Sequence, residues 1–192
     1  MSKAGKALGI AFMGVLAVGG GATWAQQRGG ADQPQPAGDR KAQITPTDEG
    51  FVRGASDAYQ MGSRLATLTA ARASDPAVKS FGAAMVKDFI ALSDALKPAA
   101  SGEKGYQWAE QPAPEDSKIL GALERMQGKS FDEAVPVQFV ALLEKLRAAL
   151  STEIEKGHDP QVKPVAQKLL PTIENRLHQA RALNKRGAVP RS

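Results

Sequence analysis

Residues 75–96, DPAVKSFGAAMVKDFIALSDAL, decide how this chain folds. Asp75 followed by Pro76 is a helix start. An aspartate side chain accepts from first-turn amides, and a proline at the first helical position lacks an N–H that would have no partner there. Val78, Phe81, Gly82, Met85, Val86, Phe89 and Leu92 then recur at three- and four-residue intervals, which is one apolar helix face. Lys79, Lys87, Asp88 and Asp94 fall on the exposed face, and the helix is expected to end near Leu96, ahead of Pro98. The pattern returns at an offset of 84 residues, where Asp75, Pro76, Val78 and Lys79 fall on Asp159, Pro160, Val162 and Lys163. Phe81, Gly82, Met85, Val86 and Phe89 fall on Val165, Ala166, Leu169, Leu170 and Ile173. Identities are few, but the cap and the apolar positions coincide, so the folded part reads as two related halves.

Each half supplies a helix ahead of its Asp-Pro start. In the first, Thr47 is the expected N-cap with Asp48 and Glu49 in the first turn, where acids meet the positive end of the helix dipole. Phe51, Ala55, Tyr59, Gly62, Leu65, Ala66 and Thr69 form its apolar face, to about Ala73. In the second, Ser130 and Glu133 have capping-box spacing before Phe139, Leu142, Leu143, Leu146, Ala149, Leu150 and Ile154, and Gly157 closes the helix. Pro136 calls for a bend or a start nearer Val135, because an interior proline removes a hydrogen bond and crowds the preceding turn. The last helix buries Val162, Val165, Ala166, Leu169, Leu170, Ile173, Leu177 and Ala180, with Pro171 expected to kink it. Arg181, Lys185 and Arg186 complement its C-terminus.

Residues 98–130 make a long connection. Ser101-Gly102 and Pro112-Ala113-Pro114 mark irregular backbone, and a short helix from Pro114 to Gln127 places Ile119, Leu120, Leu123 and Met126 inward before Gly128. Tyr106 and Trp108 are expected to pin this connection to the helices, since such rings gain most from burial. One helix pair, a long crossover containing a short helix, and a second pair give an all-α, ferritin-like four-helix bundle. Its second and third long helices should run parallel.

The N-terminal 25 residues read as a signal peptide: Lys3 and Lys6, then the apolar run Ala7 to Val18, then Thr23-Trp24-Ala25, with cleavage expected between Ala25 and Gln26. The run is well short of the ~20 residues that span a bilayer, so no transmembrane span is expected in the mature chain. Residues 26–47, rich in Gln, Gly and Pro, read as a flexible linker, residues 48–186 as the bundle, and residues 187–192 as a disordered tail. The formal charge of +5 falls to +3 without Lys3 and Lys6, and the basic residues are scattered, which argues against nucleic-acid binding. The chain has no cysteine, which removes disulfides, thiolate metal sites and cysteine nucleophiles together.

From Phe51 to Leu183 the chain resembles a bacterial family of exported proteins of unknown function, often labelled outer-membrane proteins and grouped with ferritin-like bundles. The resemblance rests on FVRGAS at Phe51, DPAVKSFGAAMVKD from Asp75, GKSFDEA from Gly128 and GHDPQVKPVAQKLLPTIENRL from Gly157. It implies a Glu on the first helix and a His on each of the other three, at positions that here hold Gly62, Phe89, Leu143 and Arg176. Asp88 is kept beside the replaced position. A di-metal site in such a bundle needs inward Glu and Glu-x-x-His groups, so the replacements leave no metal site of that kind.

The remaining metal-ligand candidates are Glu174 and His178, spaced i,i+4, and His158, which closes a literal Glu-x-x-His with Glu155. Glu174 and His178 read as a solvated pair, and His158 lies at a helix junction bounded by Gly157 and Asp159-Pro160. Asp57 and Asp88 read as solvated surface carboxylates. No nucleophile elbow, phosphate loop or paired catalytic carboxylates can be picked out. The sequence therefore leads to an exported, periplasmic, non-enzymatic bundle with no cofactor, whose partner is an envelope protein or an apolar ligand. The alternative is a ferritin-like metal-binding or redox protein with a non-standard site.

Overall fold

The computed structural model describes residues 44–100 and 105–187; the expected signal peptide, most of the linker, and residues 188–192 of the tail lie outside them. The described residues form five helices: α1 (Pro46–Arg72), α2 (Pro76–Ala100), the short α3 (Pro114–Glu124), α4 (Gly128–Lys156) and α5 (Val162–Gly187). There is no strand among them. The four long helices share one apolar core, with Leu65, Met85, Phe89, Phe131, Phe139, Leu143 and Leu150 among its fully buried side chains.

Boundaries differ from the sequence reading at several ends, including α5, which begins at Val162 and not at the expected Asp159-Pro160 start. The N-cap of α1 is Thr45, not Thr47: its hydroxyl accepts from the Asp48 amide at 3.3 Å while the Asp48 carboxylate accepts from the Thr45 amide at 2.8 Å. Helix α2 runs through Pro98 to Ala100, which is buried. Helix α3 stops at Glu124, three residues before the expected Gln127. Helix α4 begins at Gly128 after Gln127, so Ser130 lies inside the helix and the expected capping box does not form. Pro136 is accommodated within α4 and is itself buried.

Two clusters of long-range hydrogen bonds fix the relative direction of the halves. At one end, the Asp132 carboxylate of α4 accepts from the amides of Ser74 (3.0 Å) and Asp75 (2.8 Å) in the α1–α2 turn. At the other, the Asp48 carboxylate of α1 accepts from the amides of His158 (2.8 Å) and Asp159 (3.0 Å) in the α4–α5 turn. Asp48 and Asp132 stand at the same 84-residue offset as Asp75 and Asp159. Each half thus caps the turn of the other, and α1 and α4 lie antiparallel.

The connection between α2 and α4 lies along α1, held by a stripe of α1 side chains in register. Ser56 Oγ accepts from the Ala109 amide (3.0 Å), Gln60 donates to Ala109 O (2.7 Å) and Arg64 to the Gln111 side chain (2.8 Å). Arg72 donates to the Glu124 (2.5 Å) and Met126 (3.2 Å) carbonyls. Trp108 packs on Tyr59 with ring centroids 6.0 Å apart, and Tyr106 donates to Asp159 at 2.8 Å, so both rings pin the connection.

Candidate functional site

The densest polar chemistry lies at the end where α1 begins and α4 turns into α5. Asp48, Glu153 and Asp159 are all fully buried there. Asp48 reaches this place because the capping of α1 turns its carboxylate back over Thr45 and across to the α4–α5 turn. Its Oδ1 takes the two amides of His158 and Asp159, and its Oδ2 takes the amide and hydroxyl of Thr45, the latter at 2.6 Å. Burial pushes this group up, but the bonds from Thr45, Asp159 and His158 outweigh it and hold Asp48 well below the usual carboxylate range. Asp48 is an anion at any ordinary pH.

Asp159 caps the start of α5, accepting the Gln161 amide at 2.8 Å, and its other oxygen accepts from Tyr106. Burial first, then the bond to Asp159 and the charges of Asp159, Asp48 and Glu153, push the Tyr106 phenol far above its ordinary value. It stays protonated and remains a donor. Lys163, the second residue of α5, donates to the Gly157 carbonyl at 3.2 Å and brings the cluster's ammonium.

Glu153 is the unusual member. It sits in the buried row Phe139, Leu143, Leu146, Leu150, Glu153, where the spacing calls for an apolar side chain. Neither of its oxygens receives a hydrogen bond; the other buried side-chain atom so placed, among the described residues, is Trp108 Nε1. Gly157 makes room for it, since a Cβ there would stand 2.1 Å from Oε1. The polar side chain it meets is the Asp48 carboxylate, and two carboxyl groups can bond only if one carries a proton. Burial first, then the charge and contact of Asp48 and the charge of Asp159, push Glu153 from 4.5 up to about 7, with Lys163 pulling the other way. The pair can therefore hold one proton and release it near neutrality.

The sequence-predicted candidates are not brought together. Glu174 and His178 are both exposed on α5. His158 adjoins the carboxyl cluster through its backbone amide, while the residue as a whole is exposed, and Glu155 is exposed on α4. Among the described residues, no group of three or more His, Asp or Glu is arranged to hold a metal ion. Asp88 is not a solvated carboxylate as read from sequence. It is largely covered and pairs with Arg176 of α5 at 2.5 Å, while Arg176 also donates to Gln179 at 2.9 Å. Gly62 and Phe89 form a single packing unit, because a Cβ on Gly62 would lie 2.0 Å from the tip of the Phe89 ring. Leu143 is fully buried in the same core. Three of the four positions singled out by the resemblance are thus closed by packing, and the fourth by an ion pair.

Sequence reasoning missed Asp132 and Glu153, and took Asp48 only for a dipole partner. Two signals were present. Asp48 and Asp132 extend the 84-residue offset, and Glu153 continues the apolar row of α4, where Ile154 was expected to point inward and is only half-buried.

These features belong to a protein that is all-helical among the described residues, with an apolar interior and with its buried carboxyl groups Asp48, Glu153 and Asp159 gathered at one end. Residues 33–183 match the family described as Domain of unknown function (DUF4142), and the chain belongs to that family. No curated protein and no solved structure matches the chain.

Proposed function

We propose that the chain is an exported protein of the cell envelope, a ferritin-like four-helix bundle that acts by binding a partner or supporting the envelope and not by catalysis. The observation that carries this reading is the closed centre of the core. Phe89 fills the space beside Gly62, Leu143 lies in the same apolar packing, and Arg176 is turned to Asp88. A ferritin-like bundle that works on metal needs carboxylates and imidazoles converging there from different helices.

The ferritin-like topology is supported by the helix directions. Helix α1 is antiparallel to α2 across a short turn and antiparallel to α4 through the reciprocal caps, so α2 and α4 point the same way. Parallel neighbours in sequence need a connection as long as the one held along α1. Export rests on the N-terminal pattern of Lys3, Lys6, the apolar run and Thr23-Trp24-Ala25. Among the described residues no helix is long and apolar enough to cross a membrane.

Native and intact mass spectrometry with elemental analysis test the reading together on protein made in a bacterial host with its N-terminus intact. The expected result is a bare polypeptide beginning at Gln26 with no stoichiometric transition metal. One or two tightly held metal ions per chain would overturn it in favour of a metal-binding bundle using Glu174, His178 or His158 in a non-standard way. An uncleaved mass would overturn the cleavage between Ala25 and Gln26 alone, in favour of an N-terminal segment retained as an anchor.

A further inference from the structure

We propose that the Asp48–Glu153 carboxyl pair is a proton-operated latch, which clamps the start of α1 onto the α4–α5 turn and loosens when the shared proton leaves. Geometry puts every part in place. Glu153 is fully buried, takes no hydrogen bond, and is seated by Gly157 against Asp48. Asp48 in turn holds the His158 and Asp159 amides, the bonds that join two different elements across this end of the molecule.

The groups facing Glu153 come from each neighbouring element: Asp48 from α1, Asp159 from the turn, Lys163 from α5 and Tyr106 from the connection. With Glu153 protonated, two carboxylates face one ammonium and the Glu153 hydroxyl has an acceptor. With Glu153 ionised, three carboxylates face that ammonium in a buried space, and like charges in contact disfavour this strongly. Tyr106 stays protonated and cannot take up the change. Parting Asp48 from the two turn amides is the movement that separates the like charges.

The opposite end is an internal control. Asp132 holds the Ser74 and Asp75 amides in the same way, but the position matching Glu153 there is Thr69. Its hydroxyl donates to the Leu65 carbonyl at 2.6 Å and carries no titrating charge. That end should ignore pH across the range where the latch works.

The test is amide hydrogen exchange by NMR on the full chain, from about pH 5 to about pH 8, corrected for the intrinsic base-catalysed rate. Protection of the His158 and Asp159 amides is expected to fall about tenfold or more as pH rises, while Ser74 and Asp75 stay level. In Glu153→Gln, which keeps a donor and cannot ionise, the His158 and Asp159 amides should stay protected throughout. Level protection in the wild type, or the same fall in Glu153→Gln, overturns the latch. Because the variant has to fold for that comparison, carbon-13 titration of the Glu153 carboxyl in the wild type runs beside it. A midpoint near 7 supports the latch, and one in the ordinary carboxylate range overturns it.

Discussion

Gly62→Ala tests how completely the centre of the core is closed. In an isolated helix this change is favourable by about 1 kcal/mol, because alanine loses less conformational freedom than glycine. In this protein the new Cβ meets the Phe89 ring at 2.0 Å from Cζ and 2.4 Å from its two neighbours, far inside any allowed contact. Phe89 is fully buried, so either its ring or the helices that carry it must shift. Overpacking of this kind costs about 1–3 kcal/mol. Phe89→Ala alone should cost about 3–5 kcal/mol, because it leaves a cavity where the ring stood. In that second background the Gly62→Ala methyl has space to occupy, and the substitution should be neutral or stabilising by up to about 1 kcal/mol. The double-mutant cycle should therefore show a coupling of about 1–4 kcal/mol. Urea denaturation followed by far-ultraviolet circular dichroism measures all four proteins. Equal costs of Gly62→Ala in both backgrounds would refute the packing argument, and with it the reading that Phe89 and Gly62 close the core as one unit.

Two further outcomes follow from the ends of the helices. The raised Glu153 binds a proton in the folded chain that the unfolded chain has released, so stability should fall as pH rises from 4.5 to about 7, by on the order of 3 kcal/mol, and level off above. Asp48, held low, has the opposite sign: its contribution is present above 3.8 and is lost as pH falls below that. Denaturant midpoints across pH should show a maximum between these limits, and Glu153→Gln should lack the descending limb; a wild type whose stability rises through neutrality would contradict the assignment. Asp132→Ala, which frees the Ser74 and Asp75 amides, should cost about 1–3 kcal/mol and add to the cost of Asp48→Ala within about 0.5 kcal/mol, because the two caps sit at opposite ends with no shared partner. Strong coupling between them in thermal or urea unfolding would show that the two ends are not independent.

The helices were legible because their signals are local. Asp-Pro starts, three- and four-residue apolar spacing and the 84-residue offset all lie within one or two turns or in a direct comparison of two segments. Boundaries moved where a residue far along the chain intervenes or a local signal has a rival: the cap went to Thr45, and α4 began before Ser130. The candidate site was less legible. Glu174 and His178 have the spacing of a ligand pair, yet both face outward, because spacing along one helix does not say what the opposite helix offers. Asp88 looked solvated until Arg176 was brought to it from another helix.

By itself the sequence determined an all-helical chain of two related halves, without thiol chemistry, because helix periodicity and composition need no distant contact to be read. The tertiary structure alone decided that Asp48 and Asp132 each cap the other half's turn, and that Glu153 is buried against Asp48 with only Gly157 to make room. The reason is physical. A carboxyl group's charge state depends on what excludes water from it and which charges face it. Those neighbours come here from α1, the α4–α5 turn, α5 and the connection, and they meet only when the chain has folded.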